Sequence, residues 1–509
     1  MIIVFHHKNK VTAVKQNQLQ IIGFVGQAIA AVMVELARKN QEEIIAWCAQ
    51  EYAEALNENE IASLLHHQKM MISYGTAQES YLGRKIGYVE ESPFLDVKKN
   101  VLYPTWLMSS TVGAIHANVL FLIAHKIPTN DHLDFFLNSA AKIGMLNGLL
   151  CYSEPRLLKK NINKNNEVEA NNFVLFRFVR QHYKKRWLLL LFLNLIVFEK
   201  QLAFFPLIIA FTYQSRKKIK LSFDTIAVQS RKEVLSNRSI DVIIPTIGRK
   251  AYLHDVLKDL ALQTHLPNKV IIVEQNPQLA SVSELDFLQV SNWPFQIKHI
   301  FTHQAGACNA RNVALNEVRS EWVFLNDDDN RFGSNLIEAV FEKVEQYGTE
   351  ACTTAYLQQD ETQIFNTIHQ SGIFGSGNSF VKASALQHIR FDAALEFGYG
   401  EDTDFGMQLR QSGVDIIYFP SLYITHLKAP MGGFRIKTQQ KWDNDLVVPK
   451  PSPTVMYVFR KHYTREQLLC FKLVSFFKLL KKEPWRNWGS FIHQYERKWQ
   501  SSLYWSKKL

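Results

Sequence analysis

The chain has 509 residues, of which 47% are hydrophobic and 21% charged, a composition typical of folded proteins that excludes disordered, collagen-like and disulfide-scaffold classes. Its mean hydropathy of −0.13 excludes a polytopic transporter, because many spans of about 20 apolar residues would raise this value well above zero. A count of 58 basic against 47 acidic residues gives a formal net charge of +11, which favours anionic partners, although a basic surface without a specific partner has the same balance.

The amino terminus and the cysteines bear on the compartment. The first residues, MIIVFHHKNK, are typical of a strand and have no charged segment before an apolar run, so the sequence predicts no signal peptide. The five cysteines lie far apart, are odd in number and form no C-x-x-C pair. This pattern argues against a disulfide framework or a zinc ribbon and favours a reducing compartment, so we expect a cytoplasmic protein.

Two apolar runs with basic flanks lie in the middle of the chain. Residues 187–198 and 202–211 are separated by Glu199, Lys200 and Gln201. Each run is too short to span a bilayer, and joining them would bury a Glu–Lys pair near its centre. Three interpretations stay open: an interfacial helix or hairpin with its flanks on anionic headgroups, a buried helix, and a spanning segment. The first would place the protein at the inner face of the membrane.

The second half of the chain alternates apolar runs with helical patterns. The apolar runs are 241–245, 269–274, 297–301 and 322–325, and helical spacing is clearest over 251–264. This alternation predicts an α/β fold with a mostly parallel sheet flanked by helices. Such sheets bind ligands at the carboxyl ends of their strands, where polar residues cluster in this sequence.

A faint internal repeat links the two halves. The matched segments are 133–144 with 403–413, 180–183 with 460–463, and 43–48 with 269–274. Their offsets rise along the chain, as a shorter first copy with deletions would give, and the alternative is an unrelated α/β domain with similar patterns. The first copy offers Glu58 and Glu60 but no aspartate cluster, so we expect it to be catalytically dead and to serve packing or acceptor binding. The pairs at 6–7 and 66–67 are predicted to be structural histidines, because adjacent strand residues point apart.

These patterns predict four segments. An α/β domain over 1–175 is followed by a basic and apolar helical linker over 176–235, a catalytic α/β domain over 236–440 and an amphipathic helical region over 441–509.

Three adjacent carboxylates, Asp327, Asp328 and Asp329, directly follow the run 322–325. Such groups repel one another and raise each other's pKa unless a cation is present. Mg²⁺ and Mn²⁺ take oxygen ligands and often bridge to substrate phosphates. Because alternate residues at a strand end point the same way, we expect Asp327 and Asp329 to act together. The alternative is a solvated acidic turn before the next helix.

A second acidic segment lies between Gly398 and Gly406. Glu401 and Asp402 begin a predicted helix, where carboxylates are ordinary capping residues. The functional interpretation is a general base in a glycine-lined pocket, which removes a proton from an attacking hydroxyl. His426 is predicted to be a metal ligand or a structural histidine, and the loop that follows it could fold over a site. Residues 375–379 form either a tight backbone wall or a plain turn.

Four segments in order, 243–249 (IIPTIGR), 306–312 (GACNARN), 327–329 (DDD) and 400–405 (GEDTDF), resemble the motifs of family 2 glycosyltransferases. Each motif alone is weak, but the ordered set at these spacings is specific. The resemblance covers about residues 239–440. It implies a GT-A fold for the catalytic domain and a degenerate GT-A copy before it.

The resemblance also assigns roles to residues. The implied nucleotide-sugar contacts are Pro245, Thr246, Arg249, Glu274, Arg311, Asn312, Asp327 and Asp328. The implied ligands for Mn²⁺ or Mg²⁺ are Asp327, Asp329 and His426. Asp402 is similar to the catalytic base of the family, with Glu401 as its acidic neighbour, and Glu274 stands where the family usually has an aspartate.

The implied reaction is an inverting transfer of a sugar from a nucleotide-diphosphate sugar to a hydroxyl of a glycan or lipid-linked acceptor, in surface polysaccharide biosynthesis. One alternative is a non-catalytic scaffold that binds glycan or membrane. Another is a metal-dependent nucleotidyltransferase, which would need a longer phosphate loop than residues 247–250 provide. No nucleic-acid partner is expected, because the sequence has no helix-turn-helix, zinc-finger or RNP signature.

Overall fold

The computed structural model describes residues 1–17, 19–75, 80–160, 169–430, 439–484 and 487–509. The chain divides into two compact units: unit 1 comprises 1–232 and 463–481, and unit 2 comprises 233–462 and 482–509. These units cut across the predicted segments. The helical stretch that the sequence suggests as a linker lies in unit 1 up to residue 232, and the carboxy-terminal helical region is divided between the two units.

The elements of residues 1–232 form one sheet and its flanking helices. The strands are β1 (Ile2–His7), β2 (Lys10–Gln16), β3 (Leu19–Gln20), β4 (Ile44–Ala49), β5 (Met70–Ser73), β6 (Tyr103–Pro104), β7 (Val112–His116) and β8 (Leu150–Ser153). The helices are α1 (Ile29–Lys39), α2 (Ile61–Leu64), α3 (Ala117–Ala124), α4 (Leu133–Met145), α5 (Asn172–His182), α6 (Arg186–Glu199) and α7 (Phe204–Ala210).

The remaining elements follow the same plan. The strands are β9 (Ile240–Thr246), β10 (Lys269–Gln275), β11 (Gln296–Thr302), β12 (Trp322–Asn326), β13 (Asn330–Phe332), β14 (Ala351–Leu357), β15 (His369–Gln370), β16 (Asn378–Lys382) and β17 (Ile417–His426). The helices are α8 (Lys250–Ala261), α9 (Phe287–Val290), α10 (Ala307–Asn316), α11 (Leu336–Tyr347), α12 (Glu401–Gln411), α13 (Pro453–His462), α14 (Arg465–Leu480) and α15 (Trp488–Ser506), of which α14 belongs to unit 1.

The sheet of unit 2 confirms the predicted α/β fold. Its strand order is β11-β10-β9-β12-β16-β14-β17-β13, and β15 pairs with β17. The strands β11, β10, β9 and β12 are parallel neighbours, as are β14 and β17, while the other pairings are antiparallel. The sheet is therefore mixed rather than mostly parallel. Its central strands β9, β10 and β12 are almost entirely buried and mostly apolar, as expected where both faces of a sheet are covered.

Six strands of each sheet share one order and one pattern of directions. The order is β1-β4-β7-β5-β8-β6 in unit 1 and β9-β12-β16-β14-β17-β15 in unit 2. Each successive pair is parallel or antiparallel alike in the two series. The helices agree, since α4 precedes β8 as α12 precedes β17, and α5 follows β8 as α13 follows β17.

This shared order corrects one of the sequence matches. Segments 133–144 and 403–413 fall on α4 and α12, which have the same place in their units. Residues 43–48 fall on β4, whose counterpart is β12. The match of 43–48 with 269–274 in β10 is therefore wrong, because short apolar strands resemble one another whatever their place in a sheet.

The two central apolar runs form separate helices, α6 and α7. Lys200 has a left-handed φ of 56° and ends α6. One face is buried in the core of unit 1, where Leu188 and Leu195 have no exposed surface, whereas Leu202 and Phe205 are 77% and 70% exposed. These runs are therefore half buried. No helix in the described part of the chain is long and apolar enough to cross a membrane.

Candidate active site

A cleft of about 1030 Å³ opens in unit 2 at the edge where β9, β12 and β14 end. Parallel strands bring their carboxyl ends to one edge of a sheet, so residues far apart in sequence meet there. The predicted site residues that line the cleft are Pro245, Thr246, Arg249, Arg311, Asp327, Asp328, Asp329, Glu401, Asp402 and His426. Ser376 and its neighbours at 375–378 also line it, as expected for a wall rather than an isolated turn.

The three aspartates are fixed in a buried turn. The Asn330 side-chain amide donates to Asn326 Oδ1 over 2.5 Å and to the Gly377 carbonyl over 2.6 Å, so the two asparagines bracket the turn. Asp328 and Asp329 are each only 2% exposed. The alternative of a solvated acidic turn is therefore wrong. Buried carboxylates need cationic or hydrogen-bonding partners, and each of the three has them.

Asp327 is the most exposed of the three carboxylates. Its Oδ1 accepts from Arg311 Nη2 over 2.9 Å, and its Oδ2 lies 3.3 Å from the Tyr356 hydroxyl. A Cβ added at Gly377 would overlap Asp327 Oδ2, so the backbone needs glycine at this position. The wall at 375–378 therefore packs directly against the aspartate cluster.

Asp328 points towards the end of β9 and the loop that follows it. It accepts hydrogen bonds from Thr246 Oγ1 and Arg249 Nη1, both over 2.7 Å. Burial raises the pKa of Asp328 to about 6, although Arg249 and Thr246 favour its ionised form. Asp328 therefore positions Arg249 rather than facing an ion directly.

Asp329, directly before β13, forms an ion pair with His426, the last residue of β17. His426 Nε2 lies 3.5 Å from Asp329 Oδ1, and the Ala429 amide donates to Asp329 Oδ2 over 2.8 Å. Burial opposes ionisation of Asp329, but the bonds from His426 and Ala429 outweigh it and lower its pKa. The same bond to Asp329 raises the pKa of His426. The loop after Pro430 lies outside the described residues, so its predicted closure stays a prediction.

Glu401 and Asp402 stand at the start of α12. Gly400, with φ of 109°, turns the chain into this helix, and the Ser376 amide donates to Asp402 Oδ1 over 3.1 Å. Burial raises the pKa of Asp402, although the Arg311 charge lowers it. Burial and then repulsion by Asp402 raise the pKa of Glu401 to about 7. Within this pair, Glu401 can therefore take up a proton near neutral pH.

Asp404 of the same segment does not face the cleft. It is 1% exposed and accepts from His462 Nε2 over 2.6 Å and from Lys461 Nζ over 2.8 Å. Burial opposes ionisation of Asp404, but bonds from His462 and Lys461 lower its pKa. These bonds fasten α12 to α13 and so hold Asp402 in place.

Two predicted nucleotide contacts do not line the cleft. Glu274 lies next to the last residue of β10, and its carboxylate is bonded to nearby side chains. Ser283 Oγ donates to it over 2.5 Å, and His299 Nε2 lies 2.8 Å away. Asn312 exchanges two hydrogen bonds with the backbone of Phe391, at 2.8 and 2.9 Å. Both side chains thus have structural partners. Gln275, the residue after Glu274, does line the cleft.

Sequence reasoning missed Tyr356. Its hydroxyl contacts Asp327 and donates to Asn330 Oδ1 over 2.9 Å, and its ring stacks on His426 with centroids 4.8 Å apart. Tyr356 stands near the carboxyl end of β14, so the rule that found the aspartates would have found it. The signal was lost because the threonine- and alanine-rich run 351–357 was not predicted to be a strand.

The donor set of this site suits a hard divalent cation. Asp327 and Asp329 offer carboxylate oxygens and His426 offers an imidazole nitrogen, a combination that Mn²⁺ accepts. Arg311, Arg249 and His426 neutralise the carboxylates. Over the residues that the structure describes, no three acidic, histidine or cysteine side chains converge into a complete metal site. Asp327, Asp329 and His426 alone therefore do not complete a site for an ion.

Residues 241–397 match the family model described as Glycosyl transferase family 2. The match contains β9, the loop with Arg249, and the aspartate cluster. Unit 2 carries a family 2 glycosyltransferase domain. The predicted resemblance is confirmed, and Asp402 and His426 lie just beyond the matched part of the family 2 domain.

Relatives of the family 2 domain are distant. GlyA of Streptococcus pneumoniae serotype 4 is 21% identical in an alignment of 242 positions that covers 42% of this chain and 34% of GlyA. An uncharacterised glycosyltransferase of Rickettsia conorii is 26% identical over 149 residues, which are 29% of this chain and 24% of that protein. The chain thus spans a minor part of each relative. The structure of TarS 1–349 of S. aureus with UDP-GlcNAc is 17% identical, with 44% of this chain and 65% of TarS covered and a TM-score of 0.35.

Proposed function

We propose that the protein is an inverting, divalent-cation-dependent glycosyltransferase that moves a sugar from a nucleotide-diphosphate sugar to a hydroxyl of a glycan or lipid-linked acceptor. One observation carries the proposal: a single cleft contains both the cluster 327–329 at the end of β12 and the pair Glu401–Asp402 at the start of α12. The same cleft thereby contains residues suited to neutralising phosphate charge and a carboxylate suited to act as a base. The family 2 domain supports a nucleotide-sugar donor.

The cationic side chains of the cleft suit the diphosphate of such a donor. Arg249 and Arg311 are held by the aspartate cluster, and both line the cleft. Burial disfavours the charge of Arg311, but Asp327 and Asp402 raise its pKa, so it stays cationic. Asp327, Asp329 and His426 would hold a Mn²⁺ or Mg²⁺ ion, which would supply Lewis-acid stabilisation of the leaving diphosphate.

Asp402 is the proposed base. Its carboxylate takes the proton of the acceptor hydroxyl while the acceptor oxygen bonds to the anomeric carbon. The bond from that carbon to the phosphate oxygen breaks, and its electron pair leaves with the nucleoside diphosphate. Attack from the face opposite the leaving group inverts the anomeric centre, and holding both substrates in line contributes much of the rate. Glu401 accepts a proton near neutral pH, which limits repulsion within the pair.

A screen of nucleotide sugars tests this function. UDP-, GDP- and dTDP-sugars are mixed with the whole chain, with and without Mn²⁺, and unfolding temperature and nucleotide release are followed. One donor should raise the unfolding temperature and release its nucleoside diphosphate only with the metal. Neither stabilisation nor release from any donor would favour a non-catalytic scaffold. Release of pyrophosphate would favour nucleotidyl transfer instead.

The exposed face of α6 and α7 supports a membrane-associated acceptor. Its exposed apolar residues are Leu189, Val197, Leu202, Phe204, Phe205, Ile208, Ile209 and Phe211. Exposed basic residues flank it at 184–186 and 217–218. Apolar side chains beside lysines and arginines bind anionic bilayers by insertion and by charge attraction. The protein therefore acts at the inner face of the membrane, in surface polysaccharide biosynthesis.

Sedimentation with lipid vesicles tests this surface. Vesicles that contain anionic phosphatidylglycerol should carry the protein down, and purely zwitterionic vesicles should carry down much less. Phe205→Glu should weaken binding at least about tenfold, because burying a charge removes the gain from an apolar ring. Ile22→Glu is the matched control, since Ile22 is 88% exposed in the same unit. Equal loss in both variants, or no binding by the wild type, would contradict membrane association.

A further inference from the structure

Unit 1 contains a second cleft, of about 410 Å³, that the proposed reaction does not use. It opens where β5 and β8 end and where α4 begins. Gly75 follows β5, Ser153 ends β8, Ser109 precedes β7, and Asp134 is the second residue of α4. All four line the cleft, which also includes residues of the start of α14.

This cleft has the place in its sheet that the candidate active site has in unit 2. The Ser110 amide donates to Asp134 Oδ1 over 2.8 Å, as the Ser376 amide donates to Asp402 Oδ1 over 3.1 Å. Each serine stands two residues before the corresponding strand, β7 or β16, and each aspartate is the second residue of the corresponding helix, α4 or α12. Asp134 is therefore the structural counterpart of Asp402.

In the part of unit 1 that the structure describes, the nucleotide half of the site has no counterpart. In unit 2, β9 leads through the Arg249 loop and α8 to the parallel strand β10. In unit 1, β1 turns through Lys8 and Asn9, both with positive φ, directly into the antiparallel strand β2. The aspartate cluster also has no counterpart, because β4 is followed by the segment 50–55 (QEYAEA). Unit 1 thus keeps the half of the site that would face an acceptor and lacks the half that would hold diphosphate.

The lining of the second cleft has the chemistry of a sugar site. Tyr81 stacks on His132 with ring centroids 5.2 Å apart and planes 2° from parallel, so its ring is held in place at the cleft wall. The polar groups around it are of mixed kind: Ser80, Arg84, Asp96, Lys99, Ser109, Asp134, Ser153 and Arg465. Sugar hydroxyls both donate and accept, so they suit a wall with carboxylates, cations and hydroxyls. An aromatic ring covers the apolar face of a pyranose.

We propose that the cleft of unit 1 is a non-catalytic carbohydrate-binding site that holds a part of the acceptor glycan. The acceptor role rests on the proposed function of unit 2. The ligand class follows from the half of the site that is retained: a carbohydrate without a nucleotide, bound through Asp134 and Tyr81. Such a site keeps a growing glycan attached to the protein between transfers.

Binding of free oligosaccharides to the whole chain tests this site. An array of immobilised oligosaccharides identifies a bound glycan without any nucleotide sugar, and titration then gives its Kd. Asp134→Asn and Tyr81→Ala should each weaken binding about tenfold or more, because each removes a contact to the sugar. Glu54→Gln is the matched control, since it removes an exposed carboxylate of unit 1 outside the cleft and should leave Kd unchanged. Tyr81→Phe keeps the ring and should retain most of the binding.

The outcomes separate this inference from the proposed function. Thermal unfolding of each variant shows whether it is folded, and Tyr81→Ala decides the matter if Asp134→Asn is unfolded. Donor turnover without any oligosaccharide binding, or binding that no cleft variant changes, would overturn the inference alone. Competition by UDP for the Tyr81-dependent site would also overturn it, since the cleft should not hold a nucleotide. Tyr81-dependent binding without donor turnover would overturn the function of unit 2 and the acceptor role, and leave the carbohydrate site.

Discussion

At the scale of single residues, neighbouring carboxylates of the cleft differ because their partners differ. Asp328 and Asp329 are adjacent and equally buried, yet burial raises the pKa of Asp328 to about 6, whereas the His426 and Ala429 bonds lower the pKa of Asp329. Such differences suit separate tasks: Asp329 stays anionic beside a cation, and Asp402 takes up a proton.

The raised pKa of Asp402 predicts an acidic limb in the rate profile. Asp402 accepts a proton only when ionised, so kcat/KM should fall as pH drops through its raised pKa, above the usual value of about 3.9 for aspartate. Glu401 has a pKa of about 7 and carries a charge only above it, so Glu401→Gln should remove any change of kcat/KM near pH 7 and leave the acidic limb of Asp402 in place. The control is Glu342→Gln, an exposed change on α11 that should leave the whole profile in place. A Glu401→Gln variant with the same profile as the wild type around pH 7 would contradict the raised pKa of Glu401.

Gly377 offers a second test at this scale. Gly377→Ala places a methyl group against Asp327 Oδ2, so the carboxylate must move away from Arg311. We expect activity to fall about tenfold or more, because small displacements of catalytic groups have large effects on rate. Gly333→Ala is the matched control, since its Cβ would meet only Asn335 at an ordinary 3.5 Å. Equal kcat/KM values for the two variants would show that the position of Asp327 does not matter.

Part of the residue-level site could be predicted from the sequence. The aspartate cluster was identifiable because three charges after an apolar strand have few structural explanations. Glu274 and Asn312 were not separable from true cleft residues, because their partners, His299 and Phe391, lie outside their own motifs. Hydrogen bonds between distant segments leave no local pattern.

At the scale of elements, α13 holds α12 at the cleft. Asp404 joins the two helices through His462 and Lys461. Gly398 packs closely against Thr454, the second residue of α13. A Cβ at Gly398 would overlap the Thr454 side chain. The glycines around the acidic pair are thus required by packing as well as by the turn.

Removing Asp404 should loosen this junction. Asp404→Ala leaves His462 and Lys461 without their shared carboxylate, and breaking a buried pair should lower the free energy of unfolding by about 3 kcal/mol. The control Asp255→Ala breaks two exposed pairs, with Lys258 and with Arg331, and should cost less than about 1 kcal/mol. Urea unfolding measures both, and similar losses would contradict the role of the junction.

The pH dependence of that difference follows from the pKa of Asp404. The folded-state pKa is lowered, so the stabilisation is present above the unfolded-state pKa of about 3.9 and is lost as pH falls through the folded-state value. The gap between wild type and Asp404→Ala should therefore be full at neutral pH and shrink below about pH 4. A gap that grows on acidification would contradict this sign.

Strands were predicted where they contain apolar runs. The runs in β9, β10 and β12 stood out because buried parallel strands are rich in apolar and branched residues, and β11, at the edge of the sheet, keeps a shorter run. The strands β14 and β16 contain threonine and asparagine whose hydrogen bonds cross the sheet, so composition did not reveal them.

At the scale of the whole molecule, two units share a strand order that the sequence barely records. The correspondence of α4 and α12 could be predicted from the sequence, because amphipathic helices keep their spacing when individual residues change. The unit boundaries were not, because α14 lies late in the chain but belongs to unit 1. Local patterns give elements, and only packing decides which unit an element joins.

The most direct test of the central claim follows the anomeric proton of the donor sugar by NMR during turnover with Mn²⁺. The account predicts that the first product has the inverted configuration, that EDTA stops the reaction, and that Asp402→Asn slows it at least about 100-fold. Retention of configuration, or turnover by Asp402→Asn at the wild-type rate, would contradict the account.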